Sequence, residues 1–577
     1  MERIGKVTLD DLHYPGEDLY SDGAVEDHIL DLVRTYPQEE YPQVIAREQD
    51  WAVMYHLSHE RENILSWYPF APGAKVLEVG SGCGAVTGAV SASAESVTCI
   101  DLSKKRSQVN AERHRDSANI TIRLGNFQDV EKDLDNDFDY ATLIGVFEYG
   151  RGYIGGEKPY HGFLTTVMKH VRPGGKLLLA IENKFGLKYW AGCREDHLGT
   201  YFSGLEGYHT GGTARTFTRH GLEQILEKTG IHEYAFYYPY PDYKFMTALY
   251  SDAYLPRKGE LFNNLRNFDS DRLLLFDEKN AFDGILEEGL FPLFSNSYMA
   301  VIGRGFDVKY VKYSNDRAPE YAIRTEILES WFGSRREADI VRKYPMGSGA
   351  REHIRGMAAA CESLKERYRG GKLEINSCEL MEVDGQLCAQ FEFVEGISLL
   401  EVMDGCLERN DMEAFRRYFR EFVERVGYNS EYPAADFDLV FGNILISPAG
   451  EEEKLLKGKW TLIDYEWTFG KPMDMKRLAY RAAHWYLLED EKRKKIGRDW
   501  IREEISVTER EEKEFWEEEG DFQRFVTGNR SSMAEIREKI GCRVMRPQDW
   551  LEKYQDSQEV NRVQIYEDRG QGYREED

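Results

Sequence analysis

The sequence predicts an α/β protein: a doubly wound sheet first, then a smaller unit of sheet followed by helices, then a charged helical tail. Three observations carry this. From Lys75 onward, short apolar β-rich runs alternate with amphipathic stretches of helix length. Past residue 306 a second set of strand-like runs flanks one long helical pattern, and helical patterns dominate from there to Leu488. The 577 residues also exceed what one hydrophobic core holds, so two or three domains are expected.

Taken in order, residues 1–74 read mainly as helices that form an extension over the ligand edge of the first domain. Residues 75–305 supply the strands KVLEVG, SVTCID, ITIRLG, FDYATLIG and KLLLAIEN, closed by HEYAFYYPY and SYMAVIG. The charged stretch 251–290 reads as an irregular insertion. Residues 306–488 open with VKYVKYS, YAIRTEIL and ADIVRKYP, continue with the helix GAREHIRGMAAACESLKERY, and return as SCELMEV and LCAQFEFVEG around a turn at Asp384 and Gly385. In the tail, 489–577, the charge run is expected to be a solvated helix, with partner docking as its sharper use. Its end, VNRVQIYEDRGQGYREED, reads as the start of a further domain.

Composition excludes several classes. The net charge of −27 argues against a nucleic-acid binder. Eight cysteines without a CxxC pair or zinc-ligand spacing read as reduced thiols. No stretch approaches the roughly 20 apolar residues of a transmembrane segment, so a cytoplasmic chain is expected, with peripheral attachment at the inner membrane face left open.

The first chemical motif is VLEVGSGCGAVTG. Its strand ends at Glu78, and Gly80, Ser81, Gly82, Cys83 and Gly84 follow, where glycine lets backbone approach a ligand and the next helix start offers free N–H groups. Glu78, two positions before the first glycine, favours S-adenosylmethionine over a dinucleotide and would hold its methionine end. Asp101 and Leu102 end the second strand, where a carboxylate accepts from ribose hydroxyls. Asn126 and Phe127 follow the third strand beside the expected adenine, and Gly145 ends the fourth. The loop after the fifth strand carries Glu182, Asn183, Lys184, Lys188, Tyr189, Trp190, Arg194 and His197, whose cations suit an anionic acceptor. Tyr55, His56 and Arg61 lie nearby if their segment folds over the sheet. These pieces resemble, in order and spacing, the Rossmann-like class I methyltransferases.

The second motif is DFDLVFGNILI followed by WTLIDYEW. Asp438 is the candidate base, and Asn443 and Asp464 are candidate Mg²⁺ ligands, the set that phosphoryl transfer from ATP needs. Lys343 is the candidate phosphate-gripping lysine, with Arg324 as competitor, and Glu352 or Glu362 as the expected helix partner. The pattern resembles aminoglycoside phosphotransferases, with two departures: KYSNDRAPE replaces a glycine-rich loop, and Asp436 stands where protein kinases place a histidine.

Together the two motifs resemble the bifunctional kinase–methyltransferases that terminate polymannose O-antigen chains, over about residues 50–490. That resemblance implies phosphorylation and methylation of the terminal sugar of a bacterial surface glycan. It also implies a glycan or phosphoglycan acceptor, ATP and Mg²⁺ if the second unit is active, and glycosyltransferase docking through the tail. A monofunctional methyltransferase with a pseudokinase or glycan-binding unit, a glycosyltransferase scaffold, and modification of free aminoglycosides are the competing readings.

Overall fold

One sheet of fifteen strands runs through both predicted units. The computed structural model describes residues 1–548 apart from 19–22, 154–156, 210, 265–269, 304–306, 333–334, 449–451 and 532. The segment VNRVQIYEDRGQGYREED lies outside the described residues.

The centre of the parallel part of the sheet is β3 (Lys75–Val79), buried without a break from Val76 to Val79 as expected of a parallel strand covered on both faces. β4 (Ser96–Asp101) and β5 (Ile120–Leu124) lie on one side of it, and β6 (Phe138–Ile144) and β7 (Val171–Glu182) on the other, all parallel. Strand order reverses at β3, so the crevice beyond its carboxyl end is the place where such sheets bind ligands. Then come β8 (Tyr234–Tyr240), β9 (Ala248–Ser251) and the antiparallel strand β11 (Ser297–Ile302), which inserts between β7 and β8; β10 (Arg272–Leu273) lies apart.

The structure departs from the sequence reading in four places. The first ten residues are a hairpin, β1 (Glu2–Ile4) and β2 (Val7–Asp10), and not helix: β2 adds in parallel to β5, and its alternation buries Val7 and Leu9. The insertion 251–290 is partly regular, because Asp277 caps a helix at Glu278–Glu287. The boundary at 305/306 is bridged by pairing: β9 joins β12 (Val308–Tyr313), which joins β13 (Ile323–Leu328) and then the strands Ile340–Pro345, Gln386–Glu392 and Cys378–Val383. The tail is packed against both units as far as Met545.

That packing follows from spacing hidden under charge. The helix Glu509–Thr527 starts in a Thr508–Glu511 capping box. Its Phe515, Phe522 and Val526 share one face and join the apolar core of the second unit, with Ile501 and Ile505 from the preceding helix. That core also takes Ile354, Met357, Cys361 and Leu364 of the helix Arg351–Arg367, and Phe415, Tyr418, Phe419 and Phe422 of the helix Met412–Val426. Further on, Ile536 packs among N-terminal helices with Ile29, Val44 and Met54, and Val544–Met545 pairs in parallel with β10. Among the described residues no helix is long and apolar enough to cross a membrane.

Candidate functional sites

At the end of β3 the chain turns through Gly80, Gly82 and Gly84, with φ of 74°, 52° and 76°. A Cβ on Gly80 would sit 2.5 Å from Val146 Cγ2, and one on Gly84 2.4 Å from Asn110 Oδ1. On Gly82 it would meet no atom within 4 Å. Gly82 therefore presents bare backbone to the crevice. Its N–H donates to Asp101 Oδ2 at 2.8 Å, while Ser103 N–H donates to Oδ1 at 2.9 Å, so Asp101 points at the glycine turn. Burial raises the Asp101 pKa against these two donors.

Glu78 is buried beneath this turn; the Cys99 thiol donates to its Oε2 at 3.4 Å. Burial pushes its carboxyl up to about 7, and Glu78 Oε1 and Ser81 Oγ have no hydrogen-bond partner among the described residues. Leu102 is half-buried behind Asp101, and Cys83 packs against the N-terminal helices. Asn126 caps the short helix Phe127–Val130 by accepting from Gln128 N–H. The ring of Phe127 is core, edge-on to Phe163, so it offers the crevice backbone only. Gly145, with φ 67°, leaves room for the Tyr243 hydroxyl, which lies 2.5 Å from where its Cβ would be. Residues of the N-terminal segment make contacts near this edge: Asp18 accepts from Ser103 Oγ and Lys105 N–H, and Trp51 and Tyr55 pack on Phe245. Arg61 donates to Lys244 O and to the Tyr55 hydroxyl, and burial pushes His56 down to about 3.

The loop after β7 folds inward. Glu182 is fully buried; Lys244 Nζ lies 2.8 Å from its Oε1, and the Tyr243 hydroxyl donates to the same oxygen at 3.2 Å. Lys188 pairs with Asp196 at 2.9 Å and faces Asp242, Lys244 pairs with Asp196 at 2.6 Å, and the Tyr189 hydroxyl donates to Asp196. Lys188 and Lys244 are thus neutralised, so Lys188 does not offer the free positive charge the sequence suggested. Asn183 is structural, donating to Leu293 O and Ser295 O, while Lys184, Trp190 and Arg194 lie towards the surface. His197 Nδ1 bonds Glu195 at 3.2 Å, and its Nε2 faces Glu148 Oε1 at 3.4 Å and Glu182 Oε2 at 3.9 Å. Burial pulls the His197 pKa down, but Glu182, Glu148 and Glu195 outweigh it and push it up to about 11. Sequence reasoning missed Glu148, Asp196, Tyr243 and Lys244; for the last two the signal was the YPDYKF run at the end of a strand.

The second set converges on a cavity of about 320 Å³ lined by Lys343, Asn376, Phe391, Asn443 and Asp464. Tyr254 and Arg257 reach into its lining from the 251–264 segment of the first unit. Lys343 Nζ donates to Asp464 Oδ1 at 2.6 Å. Burial opposes the Lys343 charge, but Asp464 and Glu466 hold its pKa up. Glu352 and Glu362 are not its partners: both point to solvent and pair with Arg355 and Lys365 one turn along their own helix. The apolar face of that helix, Ile354, Met357 and Cys361, is what packs inward. Glu466 lies near instead, held by Arg317 at 2.7 Å and His353 at 3.1 Å. Arg317 belongs to the loop that replaces a glycine-rich turn. Arg324 is elsewhere, on Ser66 O and Glu326.

Asn443 Nδ2 donates to Asp438 O at 2.9 Å and Oδ2 at 3.2 Å, and Arg481 donates to Asp438 Oδ1 at 3.0 Å. Arg481 is held in turn by Glu519 of the tail helix at 2.7 Å, a contact no motif foretold. Asp436 is fully buried, and neither carboxylate oxygen has a hydrogen-bond partner among the described residues. Burial and the neighbouring Asp438 raise its pKa well above the usual carboxylate range.

Residues 77–177 match the family model described as a methyltransferase domain. The demethylmenaquinone methyltransferase of Tropheryma whipplei is 31% identical over 125 residues, 21% of this chain and 47% of that enzyme. The chain thus spans about half the length of the curated relatives it matches. Among solved structures, a SAM-dependent methyltransferase from Archaeoglobus fulgidus is 13% identical, with 43% of this chain and 95% of that one covered at a TM-score of 0.27. The crystal structure of WbdD is 13% identical, with 75% of this chain and 78% of that one covered at a TM-score of 0.22. The match to a methyltransferase domain covers residues 77–177, which run from β3 through β6 into β7 of a sheet with Rossmann-like strand order.

Proposed function

We propose that the crevice beside Gly82 binds S-adenosylmethionine and that the chain transfers its methyl group to an acceptor at the carboxyl ends of β6 and β7. One observation carries this: bare backbone at Gly82, with the Asp101 carboxylate aimed at it, at the point where strand order reverses. In the transfer an acceptor oxygen attacks the methyl carbon, the C–O bond forms, and the C–S pair returns to sulfur. A phosphate oxygen is already anionic and needs alignment rather than a base.

The second half of the proposal is phosphoryl transfer from ATP at the 320 Å³ cavity. Asp438 would take the proton of a sugar hydroxyl, Asn443 and Asp464 offer the oxygen donors that suit Mg²⁺, and Lys343 would hold phosphate. With the resemblance to chain-terminating kinase–methyltransferases, the substrate is the terminal sugar of a bacterial surface glycan, phosphorylated first and methylated next. The boundaries 75–305 and 306–488 are retained as functional units, with the helices to Thr527 assigned to the second because their apolar face packs in its core.

The test incubates the protein with ATP, Mg²⁺ and labelled methyl donor against lipid-linked oligosaccharides and follows mass shifts. A phosphate gain followed by a methyl gain supports the full reading. Methyl gain alone, with ATP bound but not turned over and no change in Asp438→Ala, supports a monofunctional methyltransferase with a pseudokinase unit. That second reading is favoured by one feature, the grip of Asp464 on Lys343 in place of a helix glutamate.

A further inference from the structure

Glu148, which follows β6, and Glu182, which ends β7, meet His197 across the crevice floor. One oxygen of each carboxylate and a ring nitrogen of the histidine lie within 4.8 Å of one another, the one such group of His, Cys, Asp and Glu among the described residues. The two glutamates are 1% and 0% exposed. Glu148 Oε2 and Glu182 Oε2 have no hydrogen-bond partner among the described residues. Leaving an ionised oxygen buried without a donor is costly, and buried charges are normally paired or bound to metal.

The surrounding charge does not close either. Glu148, Glu182, Glu195, Asp196 and Asp242 are in contact with Lys188, Lys244 and His197. Even with His197 protonated, these groups carry two more negative charges than positive. The other contacts hold the cluster in shape: Glu195 Oε2 accepts from the N–H groups of His197 and Leu198, and the Tyr243 hydroxyl and Lys244 fix Glu182 through its Oε1. What remains unbonded is one oxygen on each of two glutamates: Glu182 Oε2, 3.9 Å from His197 Nε2, and Glu148 Oε2, whose companion Oε1 faces that nitrogen at 3.4 Å.

We propose that Glu148, Glu182 and His197 form a site for a divalent cation on the acceptor side of the methyl-donor crevice, separate from the Asn443 and Asp464 pair. Two carboxylates with one imidazole lie between hard and borderline ligand sets and suit Mn²⁺ or Zn²⁺. The ion takes the place of the proton on His197 Nε2 and, with every carboxyl ionised, lowers the excess of negative charge from two to one. On the reading given above, it also presents positive charge to an acceptor phosphate or hydroxyl, which the paired Lys188 and Lys244 do not.

The test uses full-length protein stripped of metal, titrated separately with MnCl₂ and ZnCl₂ by calorimetry, with free Mn²⁺ counted by electron paramagnetic resonance. We expect a site whose affinity falls about 100-fold in Glu148→Gln and in Glu182→Gln and is unchanged in Asp464→Asn. Binding of S-adenosylmethionine, measured in parallel, should persist in all three, which separates failure of the metal site from failure of the methyltransferase reading. No binding of either ion up to about 1 mM, or binding indifferent to both glutamine variants, overturns the proposal. Should a variant lose methyl-donor binding as well, anomalous diffraction from wild-type crystals soaked in MnCl₂ decides. A peak between the three side chains supports the site, and its absence overturns it.

Discussion

The two candidate sites are built from different materials. The crevice at β3 is made of backbone: three left-handed glycines, a helix start and one carboxylate that bonds main-chain N–H groups. The site in the second unit is made of side-chain charge: Lys343 and Asp464 in the cavity lining, and around them Glu466 with Arg317 and Asp438 with Arg481 and Glu519. A backbone site is altered by changes of shape. A charge site is altered by changes of one unit of charge at constant shape. It also recruits residues far apart in the chain, since only the fold brings Arg317 to Glu466 and Glu519 to Arg481.

That contrast can be broken or sharpened by experiment. The largest effect is expected for Asp464→Asn, a change of charge without volume. Phosphotransfer should drop by about 1000-fold with methyl-donor affinity intact, as measured by ATP turnover and calorimetry on the same preparation. Loss of both would show that the sites are not independent.

Next comes the carboxyl buried under the backbone site. The Glu78 pKa is raised from 4.5 to about 7, chiefly by burial. Its protonated form therefore adds stability that is complete below 4.5 and disappears as pH climbs through about 7. In Glu78→Gln that slope, up to about 3 kcal/mol, should flatten, which urea unfolding across this pH range reads directly. A parallel slope in wild type and variant would mean that Glu78 is solvated.

For Gly82→Val we expect about a 100-fold weaker methyl-donor complex, because a β-branched residue at φ 52° is strained and its side chain enters the crevice. Micromolar binding by this variant would contradict the shape argument. The smallest effect belongs to Glu519→Gln. It loosens Arg481 behind Asp438 and should cost phosphotransfer about tenfold, with a shift in its pH profile and no change in methyl-donor binding.

Sequence alone reached the backbone site more fully than the charge site, for a physical reason. A glycine turn between a buried strand and a helix is written in consecutive residues, and Asp101 ends the very next strand, so Gly80 to Gly84 and Asp101 could be read together. Phe127 misled because an aromatic beside a turn looks alike whether it faces a ligand or the core. In the second unit Asp438, Asn443, Asp464 and Lys343 were legible, and all but Asp438 line the same cavity, which lies beside it. Their supports were not: the choice between Glu352 and Glu362 assumed an inward-facing helix position, and neither points inward. The tail misled because glutamates and lysines fill most of its positions, while the few aromatics that decide its packing recur at wide helical intervals. The hairpin at residues 2–10 is too short for its period-two pattern to stand out.

The pairing of Arg272–Leu273 with Val544–Met545 has a consequence for biosynthesis. About 270 residues separate these partners, so a nascent chain waits on the order of half a minute of translation before the later strand leaves the ribosome. The flank of the first half beside Gly192, whose carbonyl accepts from Leu273 N–H, is completed only by nearly the last described residues to be synthesised. A ribosome stalled in the second unit would therefore hold a first half that is folded at its glycine turn and unfinished at its side.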